Sequence, residues 1–93
     1  MNTYEATMIF VSDENQLREG KEFVKKEFEN SGLTITKEED MGDRLLAYPV
    51  RKNDRGHYMV YTIQGPSEPL KGLNKTLKLR QEILKFLFAR QGA

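Results

Sequence analysis

The sequence predicts an α+β fold, a ferredoxin-like β-α-β-β-α-β sandwich with a four-stranded antiparallel sheet and two helices on one of its faces. Three observations predict it. Strand-like segments occupy 4–11, 33–50, 57–64 and 83–90. Stretches with apolar residues at helical spacing follow the first and the third of these. Turn and capping residues separate them, with no repeat, linker or low-complexity stretch. The 93 residues therefore form one domain, 1–93.

The first segment, YEATMIFV, places Tyr4, Ala6, Met8 and Phe10 on one side and Glu5, Thr7, Ile9 and Val11 on the other. This is a strand with a mixed second face. Ser12 or Asp13 can cap the helix that follows, and Asp13 with Gln16 resembles a capping box. Leu17, Gly20, Val24 and Phe28, with Phe23 on the flank, form its apolar stripe. Asn30-Ser31-Gly32 ends it.

LTITKEE opens the second strand, Asp40-Met41-Gly42 interrupts it as a bulge or kink, and RLLAYPV resumes it. Pro49 has no N–H to give to a ladder, so this strand is expected at the sheet edge, in the spatial order 4-1-3-2. RKNDRG, 51–56, reads as the next turn, with Asn53, Asp54 and Gly56 as turn residues. HYMVYTIQ is the clearest strand, rich in aromatic and β-branched residues. After Gly65-Pro66, Ser67 is the expected cap of a helix with Pro69 in its first turn. Leu70, Leu73, Leu77 and Thr76 form its stripe. ILKFLFAR, 83–90, reads as the last strand, with a continued helix as the alternative.

Composition excludes several functions. Fifteen Lys and Arg against fourteen Asp and Glu give a net charge of +1, so nucleic-acid binding would need a local patch. The chain has no cysteine, which removes disulfides and thiolate metal sites and fits a reducing cytoplasm. No apolar run suggests a membrane span, and MNTYEATMIFV lacks the layout of a signal peptide. The single histidine, His57, follows a turn glycine, where it is far more often a surface or interface residue than a catalytic base. No glycine pattern for phosphate loops is present, and no cofactor or metal is expected.

Two features point instead to binding. Arg51, Lys52, Arg55, His57 and Tyr58 surround one hairpin turn, a mixture of cations and aromatics suited to phosphates and bases. A solvated hairpin tip explains them equally well. Lys78, Arg80, Lys85 and Arg90 add charge toward the C-terminus. Strand parity supplies the second feature. If Ala6, Met8, Phe10, Leu46, Met59, Tyr61, Ile63, Phe86 and Phe88 face the helices, then Ile9, Leu45, Ala47, Tyr58, Val60 and Leu87 lie on the other face. That is enough apolar surface to suggest a partner, although scattered apolar residues on a sheet are common.

Tyr4-Glu5, Gly42-x-Arg44-x-Leu46-Ala47-Tyr48-Pro49-Val50, Lys52, Gly56-His57-Tyr58, Leu77-Lys78-Leu79-Arg80 and Ile83-Leu84-Lys85-Phe86-Leu87 together resemble the family of bacterial ribosomal protein six of the small subunit. The likeness spans nearly the whole chain. It implies a ribosomal protein without enzymatic activity that binds small-subunit ribosomal RNA in its central domain, alongside ribosomal protein eighteen as a heterodimer. It carries over Tyr4, Arg44, Tyr48, Lys52 and His57, with Arg80 and Lys85 near the last strand. By its parity Tyr48 is expected to point toward the helices. The combined RNA-binding set is Tyr4, Arg44, Arg51, Lys52, Arg55, His57, Lys85 and Arg90. The partner-binding set is Ile9, Leu45, Tyr58, Val60 and Leu87. The expected location is the cytoplasm, on the ribosome, and the isolated chain is expected to be monomeric. Asn2-Thr3 and Leu45 stand where many relatives carry basic residues, and the sequence stops at Ala93 without a charged tail. These departures favour binding that depends on the partner. An RNA-recognition-motif-like module for single-stranded RNA is the alternative, since Arg55-Gly56-x-Tyr58-x-Val60 partly echoes its signature. An acylphosphatase-like enzyme is more remote, because SDEN is acidic where an anion cradle would be needed.

Overall fold

The computed structural model describes residues 2–91; Ala93 lies outside them. The elements are β1 (Asn2–Phe10), α1 (Glu14–Asn30), β2 (Thr34–Val50), β3 (Asn53–Gly65), α2 (Pro69–Lys78) and β4 (Ile83–Gln91). All strand pairs are antiparallel and the sheet order is β2-β3-β1-β4. The predicted fold and strand order are both found, and residues 83–91 form a strand rather than more helix.

Alternation in the central strands builds the core. Tyr4, Ala6, Met8 and Phe10 of β1 are buried, and opposite them stand Ile63, Tyr61 and Met59 of β3. Val24 and Phe28 of α1 and Leu73 and Leu77 of α2 close over this face. Phe28 meets Tyr61 edge-on at 5.9 Å between ring centroids, the arrangement that the aromatic quadrupoles favour.

Local chemistry sets the helix ends. The Asp13 carboxylate accepts from the Gln16 backbone N–H at 3.0 Å, satisfying a donor that the first turn cannot. At the other end Leu33 N–H donates to Phe28 C=O and Gly32 N–H to Glu29 C=O. This is a Schellman closure, with Gly32 at φ 78° and the buried Leu33 folded back toward buried Phe28. The expected Ser67 cap is not made: Glu68 is the N-cap and no side chain bonds there, so Pro69, with no N–H to satisfy, begins the helix.

The hairpin between β2 and β3 is tighter than the sequence predicts. Val50 pairs with Asn53, so the turn is Arg51-Lys52 alone, and Asn53, Asp54 and Gly56 belong to β3. Both turn residues have positive φ, 47° and 67°, as a type I′ hairpin demands. Asn53 ties the turn, its amide donating to Val50 C=O and Arg51 C=O.

β2 lies at the edge, as Pro49 requires, and departs from regular pairing. Its register shifts at Asp40/Gly42, where Gly42 has φ 82°. Between the pairs Leu45↔Arg55 and Val50↔Asn53, residues 46–49 have no ladder partner and face only Asp54. This wide bulge folds over the end of the open sheet face. There Leu46, Tyr48 and Val50 border a cavity of about 110 Å³ with Ile9, Tyr58, Leu84 and Lys85. Arg51 reaches across to donate to the backbone carbonyl of Ile83 on β4. Gly56 permits the approach: a Cβ there would stand 2.5 Å from Ile9 Cγ2 and 3.5 Å from Leu46 Cδ2.

Three parity expectations are corrected by this register. Leu46, expected toward the helices, lies on the open face against Ile9 and Gly56. Tyr48, expected there too, is 65% exposed with Lys85 Nζ 5.9 Å from its ring centroid. Leu45 moves the opposite way. It pairs with Arg55 on the side of Asp43 and His57, so it does not belong to the apolar open face.

Candidate nucleic-acid and partner interface

The open face carries one side of each strand. Thr7 pairs with Leu87 on one flank and Val60 on the other, and Ile9 pairs with Lys85 and Tyr58. Ile9, Tyr58, Val60 and Leu87 thus share this face near the hairpin end as an apolar patch, with Thr7 between Val60 and Leu87, and Leu46 and Tyr48 extend it from the bulge. Leu87 is 64% exposed. Farther from the hairpin the same face turns polar, with Thr3, Glu5, Thr62 and Gln64.

Cations rim the patch. The Arg44 guanidinium sits 5.9 Å above the Tyr58 ring centroid and its Nε donates to Met41 C=O at 3.2 Å. Lys85 stands beside Tyr48. Arg51 and Lys52 form the turn. None of these four makes an ion pair among the described residues.

The remaining RNA candidates are elsewhere. Tyr4 is 5% exposed and packed in the core, so it has no ring face to offer. Arg55 points to the helix side of the edge, where its Nε donates to Asp43 at 2.6 Å. The Ser12 hydroxyl also donates to Asp43, and the two partners together hold its carboxyl below the usual carboxylate range. His57 is beside them, with Nε2 2.6 Å from Asp40 and a side chain only 16% exposed. Partial burial opposes ionisation of Asp40, yet the Gly42 N–H, His57 and Lys21 outweigh it and keep its pKa low. Arg90 lies at the far end of the sheet, opposite Tyr4, donating to Asn2 at 2.8 Å. The structure therefore assembles Arg44, Arg51, Lys52 and Lys85 and separates Tyr4, Arg55, His57 and Arg90 from them.

Sequence reasoning missed Leu46 and placed Tyr48 on the wrong face. No signal would have found them, because LLAYPV is apolar in both parities and fits either register. The sequence shows Lys78 only as charge; its place beside Arg51 and Lys85 depends on how α2 packs against β4.

An antiparallel α+β sandwich with one sheet face uncovered, an apolar patch on that face and cations at its rim defines a class of small binding domains. A family model described as ribosomal protein S6 matches residues 3–90, and the chain belongs to that family. The small ribosomal subunit protein bS6 of Treponema pallidum is 32% identical over 90 residues, covering 97% of each chain. That of Thermus thermophilus is 29% identical over 89 residues, covering 94% of this chain and 88% of its own. The crystal structure of 30S ribosomal protein S6 from Thermotoga maritima superimposes with a TM-score of 0.88 at 28% identity, covering 97% of this chain and 87% of that one.

Proposed function

We propose that this chain is a structural component of the small ribosomal subunit that binds ribosomal RNA together with ribosomal protein eighteen. The observation that carries the reading is the apolar patch of Ile9, Tyr58, Val60 and Leu87 adjoining the cations Arg44, Arg51, Lys52 and Lys85. The patch is the partner's seat. The cations neutralise phosphates at its rim. Outside the ribosome the chain is a cytoplasmic monomer that performs no chemical step, and His57 serves as a partner of Asp40 rather than a base. Single-strand stacking in the manner of an RNA recognition motif is disfavoured, because the half-buried Tyr58 ring already carries Arg44.

RNA binding over a salt series, with both proteins present, tests the assignment of cations. Each phosphate contact contributes about 0.7–0.9 to the slope of log affinity against log salt. Lys52→Ala should weaken the complex and flatten its slope by about one such contact. Arg55→Ala, whose charge already faces Asp43, should leave the slope unchanged. Equal slopes for the wild type and Lys52→Ala would remove the hairpin tip from the interface.

A further inference from the structure

A second cationic surface adjoins the apolar patch, sharing Arg51 and Lys85 with its rim, and lies between α2 and the free edge of β4. Here a groove of about 530 Å³ is lined by Arg51, Lys78 and Lys85 above an apolar floor that includes Leu77, Leu84 and Phe86. Among the described residues no carboxylate lines it. α2 itself contains no acid, and its exposed Lys71, Lys75 and Lys78 recur at i, i+4 and i+7 on one side. With a rise of 1.5 Å per residue, these lysines stand about 4.5–6 Å apart along the axis, comparable to successive phosphates on a nucleic-acid strand. α1 offers no such track, since its exposed face mixes both signs of charge.

We infer that this groove holds one unstacked RNA nucleotide, its phosphate gripped by Arg51, Lys78 and Lys85 and its base laid on the half-buried Phe86, with the α2 lysines following the adjoining strand. The inference takes its ligand class from the RNA-binding reading above but uses Lys78, which that reading does not need. Charge complementarity selects an anion. The size of the groove and its apolar floor select an anion that also carries a flat apolar surface. Lys78 is exposed, so its loss does not threaten the core.

The test is a titration of the ¹⁵N-labelled full chain, followed by amide shifts, with AMP or UMP, inorganic phosphate and hexaglutamate in parallel. The expected result is movement of the Leu77, Lys78, Leu84 and Lys85 amides with either nucleotide, which binds at least about fivefold more tightly than phosphate. Lys78→Ala should weaken nucleotide binding at least about threefold, and Lys26→Ala, which removes an exposed lysine of α1, should leave it unchanged. Phosphate binding as tightly as the nucleotide would show that no base is seated. Tighter binding of hexaglutamate would make the groove a peptide site, and no shift at these amides would leave no site. Any of these three overturns the inference. If Lys78→Ala leaves RNA binding by the protein pair intact while Lys52→Ala weakens it, the groove is refuted and the ribosomal reading stands.

Discussion

Arg51 and Lys52 occupy backbone conformations that side chains with a Cβ rarely adopt, and both sit where the cations converge. Left-handed conformation costs a non-glycine residue about 1–2 kcal/mol, and glycine removes that cost while losing about 0.5–1 kcal/mol to its greater freedom when unfolded. The strain term is the larger. Lys52→Gly should therefore stabilise the isolated chain by about 0.5 kcal/mol in urea unfolding, while weakening RNA binding through the lost charge. A stable variant that binds poorly is the signature of a residue retained for contact. Unchanged or lower stability would show that the turn is not strained at Lys52.

At the scale of elements, α1 is pinned by one close approach. Gly20 faces the buried Phe10 ring, and a Cβ at that position would stand 2.8 Å from Phe10 Cδ1 and 3.1 Å from Glu82 Cβ. Helix propensity favours alanine by about 1 kcal/mol, but forcing α1 off a fully buried ring costs about 1–3 kcal/mol. Gly20→Ala should thus be destabilising by about 1 kcal/mol, read from the denaturation midpoint; a gain would show that Phe10 can yield. The edge of β2 depends on charge instead. Asp40 and Asp43 have lowered pKa values in the folded chain, so their stabilising contribution is present above the ordinary carboxylate pKa and is lost as pH falls through about 4 and below. Asp43→Asn should shrink the difference in stability between pH 7 and pH 3, measured by urea midpoints at the two pH values. The same difference in both proteins would exclude Asp43 from the acid response. The elements themselves were legible in the sequence, because each helix follows an apolar stripe and each central strand alternates. The side-chain facing of residues 45–48 was not legible. It depends on how many residues of β2 stand opposite Asp54, and neither periodicity nor propensity encodes that count in a run apolar at both parities.

Across the whole molecule a net charge of +1 conceals an uneven distribution. Arg55, Lys21, Lys25 and Lys37 are engaged with carboxylates along the β2 edge, whereas Arg44, Arg51, Lys52 and Lys85 gather near the patch without acidic partners among the described residues. On the proposed function, a handful of phosphate contacts should give the chain alone a weak affinity that falls steeply with salt. A protein covering Ile9, Tyr58, Val60 and Leu87 adds buried apolar area at about 25 cal/mol per Å², a term that salt does not screen. The two contributions should therefore separate under mutation. Val60→Asp places a carboxylate inside the proposed partner surface, where its desolvation costs about 2–4 kcal/mol when unpaired, yet it leaves the rim cations in place. RNA binding by the isolated variant should stay within about twofold of wild type, while the gain on adding ribosomal protein eighteen should fall by about 30-fold or more. Filter binding with and without the partner distinguishes the two. If Val60→Asp impairs the isolated chain as much as the pair, the patch is part of the RNA surface and no division of labour exists. If it impairs neither, the partner sits elsewhere on the molecule.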